Sequence, residues 1–543
     1  MSFIRLLEVW PTWLWVAISG IMLGLNAPGR HTHLVGMVSL FPLFLVIDRI
    51  HGNRGYSWKR KSLYILLACW GTGSIAAPIG VPWLTYAVHV FGNFPWIVAF
   101  MTTGLGYGLE VTFVLFTCFG IPMLLIRRRG WWDLLVRLAF FLVIEPFYPR
   151  IFNWSFGGMT FTGFPLLSQI ADIIGSPGLG IYSIGFSLLL VMLWRWKIEE
   201  LSIPVTVVKR TIVTYILLWG IGLSYGLWMN HFFHEQLNKG GSLHIVALQP
   251  NFTFAQLSSS ALNSSVRQRN VHELMKHSIS PLPDESSIPK LVVWPESTYP
   301  SPYFKDITLK PVIEDFTRRH NIFLLLHSID WEKTLTEKHY YGIAVLIGPN
   351  GQVRGRYNKI FRIPFGEYIP GANLFPAYAD WFRKHILSLS EFEKGKDFTV
   401  FNLSDEISFS APICFDVFSP TIIRNMVRNG AELVINLSNL IWFGNTTASD
   451  HLEMIVRWRA IENRVPILVA SNNGKSYFVN ELGEKAGEQL NLFQKGSLTQ
   501  TIYTNQHFSF YREYTGWIHL IFVLFFLSTV ISGNAKGKLF KND

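Results

Sequence analysis

The chain has 543 residues, of which 50% are hydrophobic and 15% aromatic, while only 15% are charged. Soluble domains carry about 25% charged residues, so the composition excludes a wholly soluble protein and calls for a membrane part joined to a soluble one. The formal net charge of +11 is not the footprint of a nucleic-acid binder. The basic residues form no stripe interleaved with aromatics, and they gather between apolar runs as cytoplasmic membrane loops do.

Seven apolar segments follow in order: 12–27, 34–50, 63–79, 95–126, 134–149, 178–194 and 211–232. Each approaches the ~20 residues that a bilayer-spanning helix needs. The first lacks a small-residue cleavage site and is expected to be retained. The charges between segments set an orientation. Arg49, Arg54, Lys59, Arg60 and Lys61 fall between the second and third, Arg127, Arg128 and Arg129 between the fourth and fifth, and Arg195, Lys197, Lys209 and Arg210 between the sixth and seventh. Residues 80–94 hold no Lys or Arg. The positive-inside rule puts the N-terminus in the cytoplasm and everything after residue 233 outside. An eighth span, 515–532, returns the chain to a tail carrying Lys536, Lys538 and Lys541. The expected organisation is a membrane domain over 1–233, a soluble domain over 243–505 and a closing span.

Within the soluble stretch the pattern switches to short β-rich runs at 243–248, 291–294, 322–327, 343–347, 398–403, 407–413, 433–437 and 467–471. Helical patterns at 261–278, 309–320, 420–429 and 447–464 fall between some of them. Strands interspersed with helices predict a layered α/β domain.

Three residues in distinctive settings carry acyl-transfer chemistry. Cys414 is a nucleophile if a base or a positive field favours its thiolate. Glu296, after Trp294-Pro295, supplies the base. Lys359, after Arg356-Tyr357-Asn358, supplies a cation for the thiolate and then for an oxyanion. Glu367, eight residues on, positions Lys359 or tunes its charge. The other cysteines, Cys69 and Cys118, lie in apolar spans as small hydrophobic residues. No C-x-x-C spacing occurs, so neither a metal site nor a disulfide framework is expected. Singly, each triad residue has a bland reading as buried filler, loop carboxylate or surface lysine; their combination in short motifs outweighs it.

Those motifs are Trp294-Pro295-Glu296-Ser297, Arg356-Tyr357-Asn358-Lys359 with Pro364-Phe365-Gly366-Glu367, and Pro412-Ile413-Cys414-Phe415. They resemble the Glu-Lys-Cys signature of the nitrilase superfamily. With the spans around them, and with Trp83, His89-Val90-Phe91-Gly92, Gly163-Phe164-Pro165, Gln169, Trp442-Phe443-Gly444 and Asn472-Asn473-Gly474, the chain resembles that superfamily's membrane-embedded branch, the bacterial apolipoprotein N-acyltransferases. The resemblance implies an extracytoplasmic αββα sandwich in the bacterial inner membrane and a ping-pong reaction without cofactor. Cys414 takes an acyl chain from a phospholipid as a thioester. The α-amino group of a diacylglyceryl-modified apolipoprotein then receives it, with Glu296 moving the protons. Phe415, Asp416, Asn439 and Trp442 are the supporting residues it implies. The sequence departs from the family pattern at Asp416, where Glu is usual, at Leu440, which replaces an acidic residue, and at Phe361 and Arg362, which replace a His-Leu pair. Two other readings stay open: a membrane-tethered nitrilase-like amidase or hydrolase, and a non-catalytic lipoprotein-binding paralogue.

Residues 374–390 place Phe375, Tyr378, Trp381, Phe382, Ile386 and Leu389 at helical spacing, with Asp380, Arg383 and Lys384 opposite. This is either an interfacial arm dipping into lipid or an ordinary packed helix. His89, Glu110, Glu145 and Asp172 are ionisable residues in or near spans, hence functional candidates.

Overall fold

The computed structural model describes residues 11–30, 32–126, 130–148, 150, 155, 157–199, 201, 203–236, 240–282, 288–333, 337–385, 391–504 and 507–535. Arg127 to Arg129, Pro149, Ile386, Leu389 and the tail lysines fall outside them. The chain forms two compact units, one from 1–230 with 513–543 and one from 231–512.

Among the described residues, five helices are long and apolar enough to cross a membrane: His33–Gly52, Trp58–Gly80, Trp96–Leu125, Val205–Glu235 and Phe510–Asn534. Ala171–Gly178 and Gly180–Lys197 make a sixth only as one span bent by 54°. Within the first of the pair the helix also kinks at Gly175, at φ 70°, and Pro177 removes a backbone donor. The helices Thr12–Leu25 and Trp132–Ile144, at 14 and 13 residues, are only about 20 Å long at ~1.5 Å per residue, short of a ~30 Å hydrocarbon core. The sequence reading counted both as spans. Thr12–Leu25 packs closely on Trp58–Gly80: a Cβ on Gly20 or Gly24 would lie 2.8 Å or 2.9 Å from the carbonyl of Thr72 or Ala76, so small residues set the approach.

Charge inside this unit is paired. Arg195 bonds Asp48 and Asp133, each at 2.7 Å, and Arg137 bonds Asp48 and, at 3.2 Å, Asp133. All four side chains are fully buried, as expected where the alternative is an unpaired charge in an apolar medium. Of the ionisable candidates, Glu145 bonds Arg150 at 3.0 Å and both Asp172 oxygens accept from the Tyr225 hydroxyl at 2.8 Å. His89 is exposed, with Nδ1 2.7 Å from the Phe94 carbonyl.

The second unit contains a six-stranded and a four-stranded sheet. The first has the order β12-β1-β2-β3-β4-β5, comprising β1 Gly241–Gln249, β2 Lys290–Trp294, β3 Phe323–Lys333, β4 Lys338–Ile347, β5 Val353–Asn358 and β12 Gly496–Thr504. Strands β1, β2 and β3 are parallel, and the outer ones are antiparallel. The second has the order β11-β10-β9-β8, comprising β8 Val434–Ser438, β9 Ile467–Ser471, β10 Ser476–Val479 and β11 Lys485–Leu490. A small hairpin pairs β6 Phe401–Ser404 with β7 Ile407–Phe409.

Alternation explains the layering. Val246, Leu248, Val292, Trp294, Leu324, Leu326, Ile343 and Val345 form one core with Val271, Leu274, Ile313 and Phe316 from the helices Ser264–Ile279 and Leu309–His320. The intervening Ile245, Ala247, Leu291, Val293, Leu325 and Ala344 are equally buried. A sheet apolar on both faces needs a layer on each, and β1 lies against β9. This is the expected nitrilase-like α/β domain.

The 407–413 run differs from the single strand expected. It pairs with β6 only over Ile407–Phe409, then reaches β8 through isolated bridges at Ser410–Val434 and Ile413–Leu437. The break frees the chain to turn sharply at Cys414.

Candidate active site

Glu296, Lys359 and Cys414, 55 to 118 residues apart in sequence, meet at strand ends. Glu296 follows β2, Lys359 follows β5 directly, and Cys414 opens a 3-10 turn, Cys414–Phe418, just past the bridge to β8. Backbone strain gathers here: Cys414 has φ 50°, Ser297, next to Glu296, has φ 67°, and Phe365, in the Glu367 loop, has φ 63°. Non-glycine residues in this region cost about 1–3 kcal/mol and persist where the surroundings over-determine them.

The Lys359 ammonium lies 3.2 Å from Glu296 Oε1 and 2.7 Å from Glu367 Oε1. The other Glu367 oxygen accepts from the Ile363 N–H at 2.9 Å. Burial works against the Lys359 charge, but the facing carboxylates outweigh it and hold the lysine well above its ordinary pKa. Burial pushes Glu296 up against the pull of Lys359. Burial and the Glu296 charge likewise push Cys414 well above its usual value, while Lys359 and the Asn439 N–H favour the thiolate. The resting site therefore favours the neutral thiol, with the Lys359 ammonium against Glu296. Proton transfer to Glu296 during attack, rather than a standing thiolate, is the chemistry this arrangement supports.

Asp416 is a buried bracket rather than a reacting group. It accepts from the N–H groups of Ile360 at 3.2 Å, Phe361 at 2.6 Å and Ile413 at 2.9 Å, and from the Tyr357 hydroxyl at 2.8 Å. It thus ties the Lys359 loop to the Cys414 turn. Burial pushes its pKa up to about 6. Asn439, also buried, accepts from Asn472 Nδ2 at 3.2 Å, and Asn472 pairs with both backbone groups of Phe252 at 3.0 Å. Phe415 stacks on Phe418 with centroids 4.5 Å apart, and Trp442 sits edge-on to Phe254 at 5.4 Å. Tyr357 and His327 are contributors that the sequence reading assigned no role. A histidine directly after the aliphatic run Leu324, Leu325 and Leu326 was the available signal for the second.

Within the described residues the arm is the helix Pro376–His385, with Ile386 and Leu389 outside them. Ala379 is its buried position, Phe382 packs on Phe365 with centroids 5.3 Å apart, and Phe375 and Trp381 are 65% and 45% exposed. Phe382 is thus a tether to the Glu367 loop, not part of the exposed apolar surface.

Residues 262–506 match the Carbon-nitrogen hydrolase family, and residues 19–189 match the Apolipoprotein N-acyltransferase N-terminal domain. Relatives match along nearly the whole length. An Apolipoprotein N-acyltransferase of Geobacter metallireducens is 27% identical over 515 residues, 92% of this chain and 91% of the relative. An Apolipoprotein N-acyltransferase 2 of Leptospira interrogans is 24% identical, covering 97% and 96%. An Apolipoprotein N-acyltransferase of Borreliella burgdorferi is 23% identical, covering 95% and 94%. The chain belongs to the apolipoprotein N-acyltransferase family.

The departures from the family pattern have local accounts. Asp416 completes four hydrogen bonds with its shorter side chain. Phe361 contributes its N–H to that bracket. The Arg362 guanidinium donates to the Phe392 carbonyl at 2.7 Å and lies 4.7 Å over the Tyr368 ring. Leu440 is buried, its Cδ1 2.8 Å from where a Cβ on Gly474 would sit.

Proposed function

We propose that this acyltransferase moves a fatty acyl chain from a phospholipid to the α-amino group of a diacylglyceryl-modified apolipoprotein, through a thioester on Cys414. The carrying observation is one chain matching both the acyltransferase N-terminal domain and a carbon-nitrogen hydrolase domain. The Lys359–Glu296 ion pair at 3.2 Å and the burial of Cys414 support the mechanism.

In the first half-reaction Cys414 Sγ attacks the ester carbonyl and its proton passes to Glu296. Lys359 faces the oxyanion. The carbonyl–oxygen bond breaks, and Glu296 protonates the departing glyceryl oxygen to release a lysophospholipid. In the second, the α-amino nitrogen attacks the thioester. A carbon–nitrogen bond forms, the carbon–sulfur bond breaks, and Glu296 carries the amine's proton to the thiolate. Loop charges support an inner-membrane protein with both termini cytoplasmic and the catalytic unit periplasmic.

The test supplies purified protein in detergent with phospholipid and a diacylglyceryl-cysteine peptide. An N-acylated peptide is expected. Free fatty acid without acylated peptide would support a hydrolase instead, and peptide binding without phospholipid consumption a non-catalytic paralogue.

The exposed Phe375 and Trp381 support an interfacial arm. Replacing both with Ser spares Phe382 and its packing on Phe365. Turnover of phospholipid in vesicles is expected to fall about tenfold, the loss of roughly 1.4 kcal/mol of interfacial binding. Turnover of a monomeric short-chain phospholipid stays unchanged. Equal rates on vesicles would remove the arm.

A further inference from the structure

We propose that His327 is a positioning residue for acyl transfer: its imidazole, buried beside Lys359, holds the backbone of Ser297 and thereby the neighbouring carboxylate of Glu296. The inference rests on the reading of Glu296 as the base.

His327 lies on β3 and is 7% exposed. Its Nδ1 accepts from the Ser297 N–H at 3.2 Å. Ser297 is the residue with φ 67° directly after Glu296, so the bond falls where the loop is most strained. The rest of that loop is held similarly. Thr298 Oγ1 donates to the Pro295 carbonyl at 2.8 Å. Ser328 Oγ accepts from the Tyr303 N–H at 3.1 Å and donates to the Ser301 carbonyl at 2.6 Å. Residues 327 and 328 of β3 thus clamp the loop that follows β2, and the clamp nearest the carboxylate is the imidazole.

Gly342, on β4, provides the room. A Cβ there would lie 3.6 Å from His327 Nε2 and 3.8 Å from Lys359 Cβ, so the ring and the lysine stem share the space its missing side chain leaves. Because Nδ1 accepts, the ring proton sits on Nε2. Burial and the Lys359 charge push the histidine's pKa down to about 3. The ring is therefore neutral at working pH and Nδ1 remains an acceptor. A protonated ring would set a donor against the Ser297 N–H and a second cation beside Lys359. A histidine that only filled space would need no bond to the residue after the base.

His327→Asn keeps an acceptor at the δ position, while His327→Leu has similar bulk and none. The readout is single-turnover acylation of Cys414 by phospholipid across pH, with the thermal midpoint reporting folding. His327→Asn is expected to acylate within about threefold of the unaltered chain. His327→Leu is expected to lose about 10²-fold in rate at unchanged KM, the scale of a ~1 Å misplacement. Its acid limb should also move up by about one pH unit. Glu296, loosened from Lys359 but still facing Glu367 and Cys414, then holds its proton to higher pH and the base is lost sooner as pH falls. His327→Leu acylating at the unaltered rate with an unmoved limb, or a folded His327→Asn as impaired as His327→Leu, would overturn the proposal. If His327→Leu does not fold, the rate of His327→Asn decides alone. Failure of the unaltered chain to acylate would count against Cys414 and Glu296 themselves, a separate result.

Discussion

Cys414→Ser is expected to give a folded protein whose intact mass does not rise on incubation with phospholipid, whereas the unaltered chain gains one fatty-acyl increment. The serine has nearly the same shape and sits on the same strained backbone, so loss of the increment reports chemistry rather than collapse. A hydroxyl is far harder for Glu296 to deprotonate than a thiol, and turnover should fall by about 10⁴-fold or more. The other thiols, Cys69 and Cys118, are fully buried in the membrane unit, so an increment surviving in Cys414→Ser would overturn the nucleophile assignment. Glu296→Gln tests the base: the amide keeps the shape but takes no proton, and acylation should slow by about 10²–10⁴-fold. In the unaltered protein, a diacylglyceryl-cysteine peptide should discharge the increment.

Lys359→Met has the second large effect, on stability as well as rate. The ammonium touches Glu296 and Glu367 and is 3% exposed as a side chain, against 11% and 14% for its partners. Removing it leaves two carboxylates facing each other with no cation, a change that costs about 3–5 kcal/mol for a buried pair. Acylation should fall by about 10²–10³-fold through loss of oxyanion stabilisation. The stability loss has a definite pH sign. Without the lysine, burial still holds the folded pKa of Glu296 above its unfolded one, so protonation favours the folded state. The loss is greatest at alkaline pH and shrinks as pH falls through the raised value. Thermal midpoints of Lys359→Met and of the unaltered chain between pH 5 and 8 measure this. A variant as stable as the unaltered chain at pH 8 would show that the ion pairs carry no net stabilisation. Adding Glu367→Gln should recover much of the stability and none of the rate, because it removes one stranded charge without restoring a cation.

How much was legible in the sequence depended on whether the signal was local. The strands bearing Val246, Val292 and Leu324 stood out because burial on both faces makes them continuously apolar. The edge strands β5, Val353–Asn358, and β11, Lys485–Leu490, did not, because their polar residues are only partly covered and carry no periodicity. The helix Pro376–His385 was anticipated from spacing, but spacing could not tell that Phe382 turns to Phe365 while Trp381 stays exposed. In the membrane unit, apolar length separated spans from loops, yet it did not reveal the short helix Trp132–Ile144 or the bend between Gly178 and Gly180. The ring of Asp48, Asp133, Arg137 and Arg195 joins helices distant in sequence, and apart from the i, i+4 pair Asp133–Arg137 nothing local predicts which charges pair.

The sequence by itself determined the alternation of apolar spans and basic loops, the α/β character of the soluble part, and the motifs around Glu296, Lys359 and Cys414. These are properties of residue type and short-range order. Only the tertiary structure decided that Glu367 as well as Glu296 bonds the lysine, that Asp416 is a four-bond bracket, and that His327 grips the residue beside the base. The Lys359–Glu367 bond spans only eight residues, but each of the others is a contact between segments tens of residues apart. Its existence depends on sheet register and on a vacant Cβ at Gly342, which no pattern along the chain records.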